Sequence, residues 1–150
     1  MKTINFSAEV GVNEGYDSSN NHKQSKNIEE LGVLFQNLQD EVQEETGIYI
    51  STVISGPNRT IYKNEWGCPN GGELTFNISG LANPQFVDDE NEWKKASLLL
   101  MDKARTELKQ STISVVFNSQ DGPDFYYLNS NEALNNYIQE IDNESKGLEF

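Results

Sequence analysis

Thr3-Ile-Asn-Phe-Ser-Ala-Glu-Val-Gly-Val12 is the stretch from which the fold can be worked out, because apolar and polar residues alternate along it without a break. The first set is Ile4, Phe6, Ala8, Val10 and Val12, and the second is Asn5, Ser7, Glu9 and Gly11. A period of two is typical of a β-strand that packs on one face only. We therefore predict a sheet with one apolar face and one polar face.

The residues after this strand predict a helix, a hairpin, a second helix and a further strand. Apolar residues with helical spacing follow at Ile28, Leu31, Phe35, Leu38 and Val42. Asn27 is suited to cap this helix, with Glu30 completing a capping box, and Gly47 is suited to end it. The remaining predicted elements are strands over Ile48–Ile54, Leu74–Ser79 and Thr112–Phe117, and a helix over Asn91–Gln110.

This order of elements predicts a ferredoxin-like α+β sandwich. Strand, helix, strand, strand, helix, strand is the split βαβ (βαββαβ) arrangement, in which two helices cover one face of an antiparallel sheet. Phe125–Leu128 and Glu132–Ile141 add a C-terminal edge strand and helix. We treat residues 1–150 as one domain, with a flexible loop at 13–27 and a frayed tail at 142–150.

Charge and cysteine content argue against several classes of function. The chain has 11 basic and 24 acidic residues and a net charge of −13, which is unfavourable for binding nucleic acid or an anionic membrane. No apolar run approaches the roughly 20 residues of a membrane span, so we expect a cytoplasmic protein. With one cysteine, Cys68, one histidine, His22, and no cofactor motif, we predict no metal site and no cofactor.

The predicted site is Arg59-Thr-Ile-Tyr-Lys-Asn-Glu-Trp-Gly-Cys-Pro-Asn-Gly-Gly-Glu73, at the far end of the hairpin. Aromatic rings and basic side chains are what a nucleotide-like or anionic ligand requires. Residues 59–109 also hold seven of the eleven bases against eight acids, so this part of the chain is nearly neutral. The predicted ligand-binding residues are Arg59, Tyr62, Lys63, Trp66, Asn70 and, from the second helix, Arg105. The alternative is a structural loop in which Trp66 packs on the core.

The polar face of the predicted sheet allows three interpretations. Its residues are Asn5, Ser7, Glu9, Ser51, Glu73, Thr75, Asn77, Ser79, Thr112 and Ser114. These side chains are polar but mostly uncharged, so the face can be solvated, can pack against a second copy, or can form the floor of a ligand site. We expect a homo-oligomer.

Three functions are compatible with these patterns. The first is non-catalytic sequestration of a small anionic or nucleotide-like ligand; small phage-encoded counter-defence proteins that sequester nucleotide signals are similar in size, acidity and lack of catalytic motifs. The second is an acidic inhibitor that blocks a basic protein through Glu29, Asp40, Glu41 and Glu44. The third is a small enzyme that uses Glu9, Glu73 and Glu65 as acid and base. We prefer the first, which predicts binding without catalysis.

Overall fold

A computed structural model describes residues 2–13 and 26–147 of the chain. The helices and strands follow one another as β1 (Asn5–Gly11), α1 (Ile28–Thr46), β2 (Val53–Thr60), β3 (Glu73–Leu81), α2 (Glu90–Glu107), β4 (Ile113–Ser119), β5 (Gly122–Leu128) and α3 (Asn131–Gly147). A single 3₁₀ turn, Asn64–Trp66, interrupts the β2–β3 loop. No described helix is long and apolar enough to cross a membrane.

The five strands form one antiparallel sheet in the order β2-β3-β1-β4-β5. The first four strands have the ferredoxin-like arrangement, and β5 extends the sheet at one edge. The predicted fold class, including the C-terminal strand and helix, is therefore confirmed. Asn27 caps α1 by accepting a hydrogen bond from the backbone N–H of Glu30, and Gly47 ends the helix with a left-handed backbone, both as predicted.

The core lies between the sheet and the helices. Phe6 of β1 packs against Trp93 of α2 and Phe117 of β4, with ring centroids 5.8 Å apart in each pair. The apolar set predicted from the alternation in β1, from Ile4 to Val12, is buried throughout. Because the helices cover this face only, the opposite face of the sheet is open and carries the predicted polar side chains.

Two predicted elements differ most from the structure in their boundaries. The first hairpin strand, predicted over Ile48–Ile54, begins at Val53 and continues through Pro57 and Asn58 to Thr60, while residues 48–52 are not in a strand. A β-bulge between Ser55 and Asn58 allows this, since the register against β3 shifts there.

The second correction concerns the C-terminal helix, which continues beyond Ile141 to Gly147. Contacts with α2 hold this extension in place: Lys95 forms a salt bridge with Asp142 at 2.6 Å, and Asn91 Nδ2 donates a hydrogen bond to Ser145 Oγ at 2.6 Å. Of the predicted tail at 142–150, only residues 148–150 lie outside the described residues. Residues 14–25 of the predicted 13–27 loop also lie outside them.

Candidate functional site

A cleft of about 700 Å³ lies on the open face of the sheet, where β1, β3 and β4 meet the β2–β3 loop. Strand alternation supplies its floor, because every second residue of each strand points to this face. The floor includes Ser7, Glu9, Glu73, Thr75, Thr112 and Ser114. Of the three interpretations of the polar face, the structure thus favours the floor of a ligand site.

Glu73, the first residue of β3, is the most buried carboxyl group in this cleft, with 8 % of its surface exposed. Burial raises its pKa above the usual range for a glutamate, and a hydrogen bond from the Tyr62 hydroxyl to Glu73 Oε2, at 3.2 Å, acts in the opposite direction. A carboxyl group with a raised pKa can accept or hold a proton nearer to neutral pH than an exposed one.

Glu9 supplies a second carboxyl group, and hydrogen bonds fix its orientation. Thr75 Oγ1 donates to Glu9 Oε2 at 2.9 Å, and Asn58 Nδ2 lies 3.4 Å from Glu9 Oε1. The hydroxyl of Thr60 forms a 2.8 Å hydrogen bond with that of Thr75 and continues the network to β2. The prediction that Glu9 and Glu73 share one sheet face is confirmed, and both line the same cleft.

Tyr62 and Trp66 form the wall of the cleft on the side of the β2–β3 loop. The loop is held by the Asn64 side chain, which donates to the Cys68 carbonyl at 2.9 Å, and by the buried Cys68 thiol, which lies 3.4 Å from the Tyr62 backbone N–H. Trp66 is 70 % exposed, so the alternative in which it packs on the core is wrong. The exposed indole ring is available for stacking.

The structure does not bring the predicted basic residues into this cleft. Arg59 follows β-strand alternation and points away from the face that carries Thr60, while Lys63 lies on the loop in a 3.2 Å salt bridge with Glu65. Arg105 lies on α2, across the sheet, and bonds to Asp102 at 2.9 Å. The predicted cluster of Arg59, Lys63 and Arg105 therefore does not exist as one site.

Asn70 and Glu65, also named from the sequence, lie on the same loop without lining the cleft. Asn70 is exposed, and its side-chain oxygen lies 3.4 Å from Asn64 Nδ2. Two lining residues had no signal in the sequence analysis. Gln110 lies in the turn between α2 and β4, and Tyr127 belongs to the edge strand β5.

The electrostatic character of the cleft follows from its lining. Within the described part of the chain, the residues that line it include two carboxyl groups and no Lys, Arg or His. Such a cleft attracts a cation and repels an anion. The described residues contain no group of three or more His, Cys, Asp or Glu that could hold a metal ion.

The chain also matches a family of known proteins. The family model described as SAM lyase matches residues 1–129, which is most of the sequence. The chain belongs to the SAM lyase family. SAM is S-adenosylmethionine, a nucleoside with a positively charged sulfonium group. No curated protein matches the sequence at a significant level.

Two solved structures of a phage SAM lyase have the same fold as this member of the family. The apo structure has a TM-score of 0.57 and 16 % identity, over 87 % of this chain and 91 % of that chain. The structure in complex with S-methyl-5′-thioadenosine has the same TM-score and identity, over 85 % and 90 % of the two chains. At this identity the likeness establishes the fold alone.

The surface expected for an acidic inhibitor lies on α1, far from this cleft in the fold. Part of it is already neutralised within the chain, because Lys103 of α2 lies 3.4 Å from Glu41 and 2.9 Å from Glu45. This pairing reduces the negative charge that α1 offers to a basic partner.

Proposed function

We propose that this protein is a lyase that cleaves S-adenosylmethionine and releases S-methyl-5′-thioadenosine. The observation that carries the proposal is the acidic cleft beside Tyr62 and Trp66, in a chain of the SAM lyase family. The substrate carries a sulfonium and an ammonium cation, which suit a cleft whose described lining has two carboxyl groups and no Lys, Arg or His. Its adenine ring can stack on the exposed Trp66.

Cleavage of the carbon–sulfur bond balances without a co-reactant. The electron pair of the broken bond stays on sulfur, so the sulfonium becomes the neutral thioether of S-methyl-5′-thioadenosine. The four-carbon amino acid part then closes a lactone, when its own carboxylate oxygen attacks the carbon that loses sulfur, or forms a double bond when the adjacent carbon gives a proton to Glu73. In either route the cleft orients the substrate.

Glu73 and Tyr62 are the residues to which we assign the chemistry. Near the ammonium group, a carboxylate at Glu73 orients the reacting chain, and its raised pKa makes it a better proton acceptor than an exposed glutamate. Tyr62 fixes the Glu73 carboxyl group through its hydroxyl hydrogen bond. Glu9, on the floor of the cleft, contributes further negative charge.

The test is to incubate the purified protein with S-adenosylmethionine and follow the products by mass spectrometry. We expect S-methyl-5′-thioadenosine and a four-carbon product whose mass identifies a lactone or an unsaturated amino acid. Homoserine formed from the start, with incorporation of ¹⁸O from labelled water into it, would show hydrolysis and contradict a lyase. Because a lactone opens slowly to homoserine in water, samples from early time points distinguish the lyase reaction from hydrolysis.

The same experiment distinguishes catalysis from the sequestration expected from the sequence. If S-adenosylmethionine is bound and returned unchanged after heat denaturation, the protein is a binding protein and the proposed activity is wrong. Glu73→Ala is the matched variant for activity. Glu140→Ala, a change at an exposed glutamate of α3, is the control.

A further inference from the structure

Gly11, the last residue of β1, lies at a corner of the cleft where two side-chain oxygens converge. A Cβ atom at this position would lie within 3.0 Å of both Glu73 Oε1 and Gln110 Oε1. Real side chains do not tolerate such contacts, so the absence of a side chain at residue 11 is what leaves room for both oxygens. The corner is therefore occupied by two hydrogen-bond acceptors from different elements.

The orientation of the Gln110 amide is fixed by its nitrogen. Gln110 is 9 % exposed, and its Nε2 donates to the carbonyl of Asn13 and, at 3.0 Å, to the carbonyl of Leu108. An amide nitrogen has two N–H donors, and both are used here. The side chain cannot flip without losing these bonds, so its Oε1 has to face Gly11 and Glu73.

The backbone before Gln110 is also set in an uncommon conformation. Among the described non-glycine residues, Lys109 alone has a positive φ, of 53°. The Gln110 and Lys109 N–H groups bond to the carbonyls of Arg105 and Thr106, at 2.9 and 3.1 Å, which is the Schellman ending of a helix. This turn reverses the chain after α2 and directs Gln110 toward the cleft.

Two neighbouring acceptor oxygens repel each other unless a donor lies between them. We propose that Gln110 Oε1 and the Glu73 carboxylate together bind the α-ammonium group of the substrate, and that Gly11 is required because a side chain there would displace both. This assignment rests on the proposed function, since it takes the ligand to be an adenosyl amino acid. The ammonium group has three N–H donors, whereas the sulfonium has none, so the corner distinguishes these two cations.

Binding at the corner can be tested with two ligands that have no sulfonium group and are therefore not cleaved. S-adenosylhomocysteine carries the ammonium group, and S-methyl-5′-thioadenosine lacks the whole amino acid part. Calorimetry gives the dissociation constant of each ligand for the wild type, Gly11→Ala and Gln110→Met. Gly32→Ala is the matched control, because a Cβ atom at that glycine of α1 meets no atom within 4 Å.

We expect both cleft variants to bind S-adenosylhomocysteine at least about tenfold more weakly, and S-methyl-5′-thioadenosine within about twofold of the wild type. With S-adenosylmethionine as substrate, KM should rise more than kcat falls. Equal losses for both ligands, unchanged binding of S-adenosylhomocysteine, or a wild type that binds only S-methyl-5′-thioadenosine would each overturn the assignment. Since these constants need no turnover, a protein that binds S-adenosylhomocysteine through this corner but cleaves nothing would contradict the proposed lyase activity alone.

Discussion

Glu73 lies where a carboxyl group is costly to the fold, because burial disfavours its charged form and raises its pKa. A group whose pKa is raised in the folded state destabilises that state at any pH above the raised value. We therefore expect Glu73→Gln to raise Tm by a few degrees, since about 1 kcal/mol corresponds to 2–4 °C in a domain of this size. The same variant should lose at least about 90 % of the activity toward S-adenosylmethionine.

Calorimetry and the product assay measure the two effects separately. Glu140→Gln, at an exposed position of α3, should change neither Tm nor activity by more than the error of the measurement. A Glu73→Gln variant that unfolds earlier than the wild type would show that the carboxyl group stabilises the fold. The position of Glu73 in the cleft would then be explained by its contribution to stability.

The pH dependence of substrate binding should follow the same residue. The carboxylate form of Glu73 attracts the proposed cationic substrate, so KM should rise as the pH falls through the raised pKa of Glu73. Tyr62→Phe removes the hydrogen bond that lowers this pKa, and the midpoint should therefore move to higher pH. Rates at saturating and limiting substrate between pH 4 and pH 8 give the profile; an identical midpoint in both proteins would contradict the assignment.

At the level of single residues, the sequence predicts the floor of the site better than its surroundings. Alternation along β1 and β3 places Glu9 and Glu73 on one face, and this is what the structure has. Gln110 was missed because its orientation depends on a helix ending with Lys109 in a conformation usual for glycine. Arg105 was included for its charge, but which face of α2 it occupies depends on packing against the sheet.

Among the elements, β2 shows why local pattern was insufficient. Residues 48–52 contain isoleucines and threonine and have strong β propensity, yet they form no strand. Pairing with β3 decides where the strand begins and ends, since Val53 lies opposite Ser79 and Thr60 lies opposite Glu73. A bulge lets the intervening Pro57 belong to the strand, which a reading of turn residues in the sequence does not anticipate.

The end of α2 offers a test of stored backbone strain. Lys109 adopts a left-handed conformation that costs an ordinary residue about 1 kcal/mol more than glycine. Lys109→Gly should therefore raise the free energy of unfolding by up to about 1 kcal/mol, measured by urea denaturation. Gly47→Ala at the equivalent end of α1, where φ is 80°, should lower it by a similar amount. Destabilisation by Lys109→Gly would show that contacts of the lysine side chain outweigh the strain.

The β2–β3 loop should contribute binding energy rather than stability. Trp66 is 70 % exposed and lies at the wall of the cleft, with Lys63 Nζ 5.9 Å from its ring centroid. Trp66→Ala should weaken the binding of S-methyl-5′-thioadenosine by about 1–3 kcal/mol, the range for an aromatic ring that stacks on a base, and leave Tm unchanged. Phe86→Ala, at a residue that is 81 % exposed and outside the cleft, is the control. Equal affinity in Trp66→Ala and the wild type would place the adenine elsewhere.

For the molecule as a whole, the acidic surface and the acidic cleft act in the same direction. A net charge of −13 attracts a cationic ligand. Salt limits the range of this attraction to the Debye length, which is about 8 Å at physiological ionic strength. The sequence analysis predicted instead that bases of the nearly neutral segment 59–109 hold an anionic ligand, because it counted bases along the chain. Their positions in space could not be read from that count.

Self-association is the prediction that belongs to the whole molecule. The open face carries exposed apolar residues on both sides of the polar floor, with Val53 and Leu81 near β2 and Phe125 and Tyr127 on β5. Apolar surface beside a polar floor can be buried against a second copy, so light scattering should give a mass above the 16.9 kDa of one chain.

A charged substitution on this face tests whether it is the contact. Leu81→Asp should weaken association by at least tenfold, because the new carboxylate would be buried against the other copy. Val33→Asp on α1, where the valine is 60 % exposed, should leave association unchanged. A mass near 16.9 kDa at every concentration would refute self-association. An oligomer that persists in Leu81→Asp but dissociates in Val33→Asp would move the contact from the sheet to the helices.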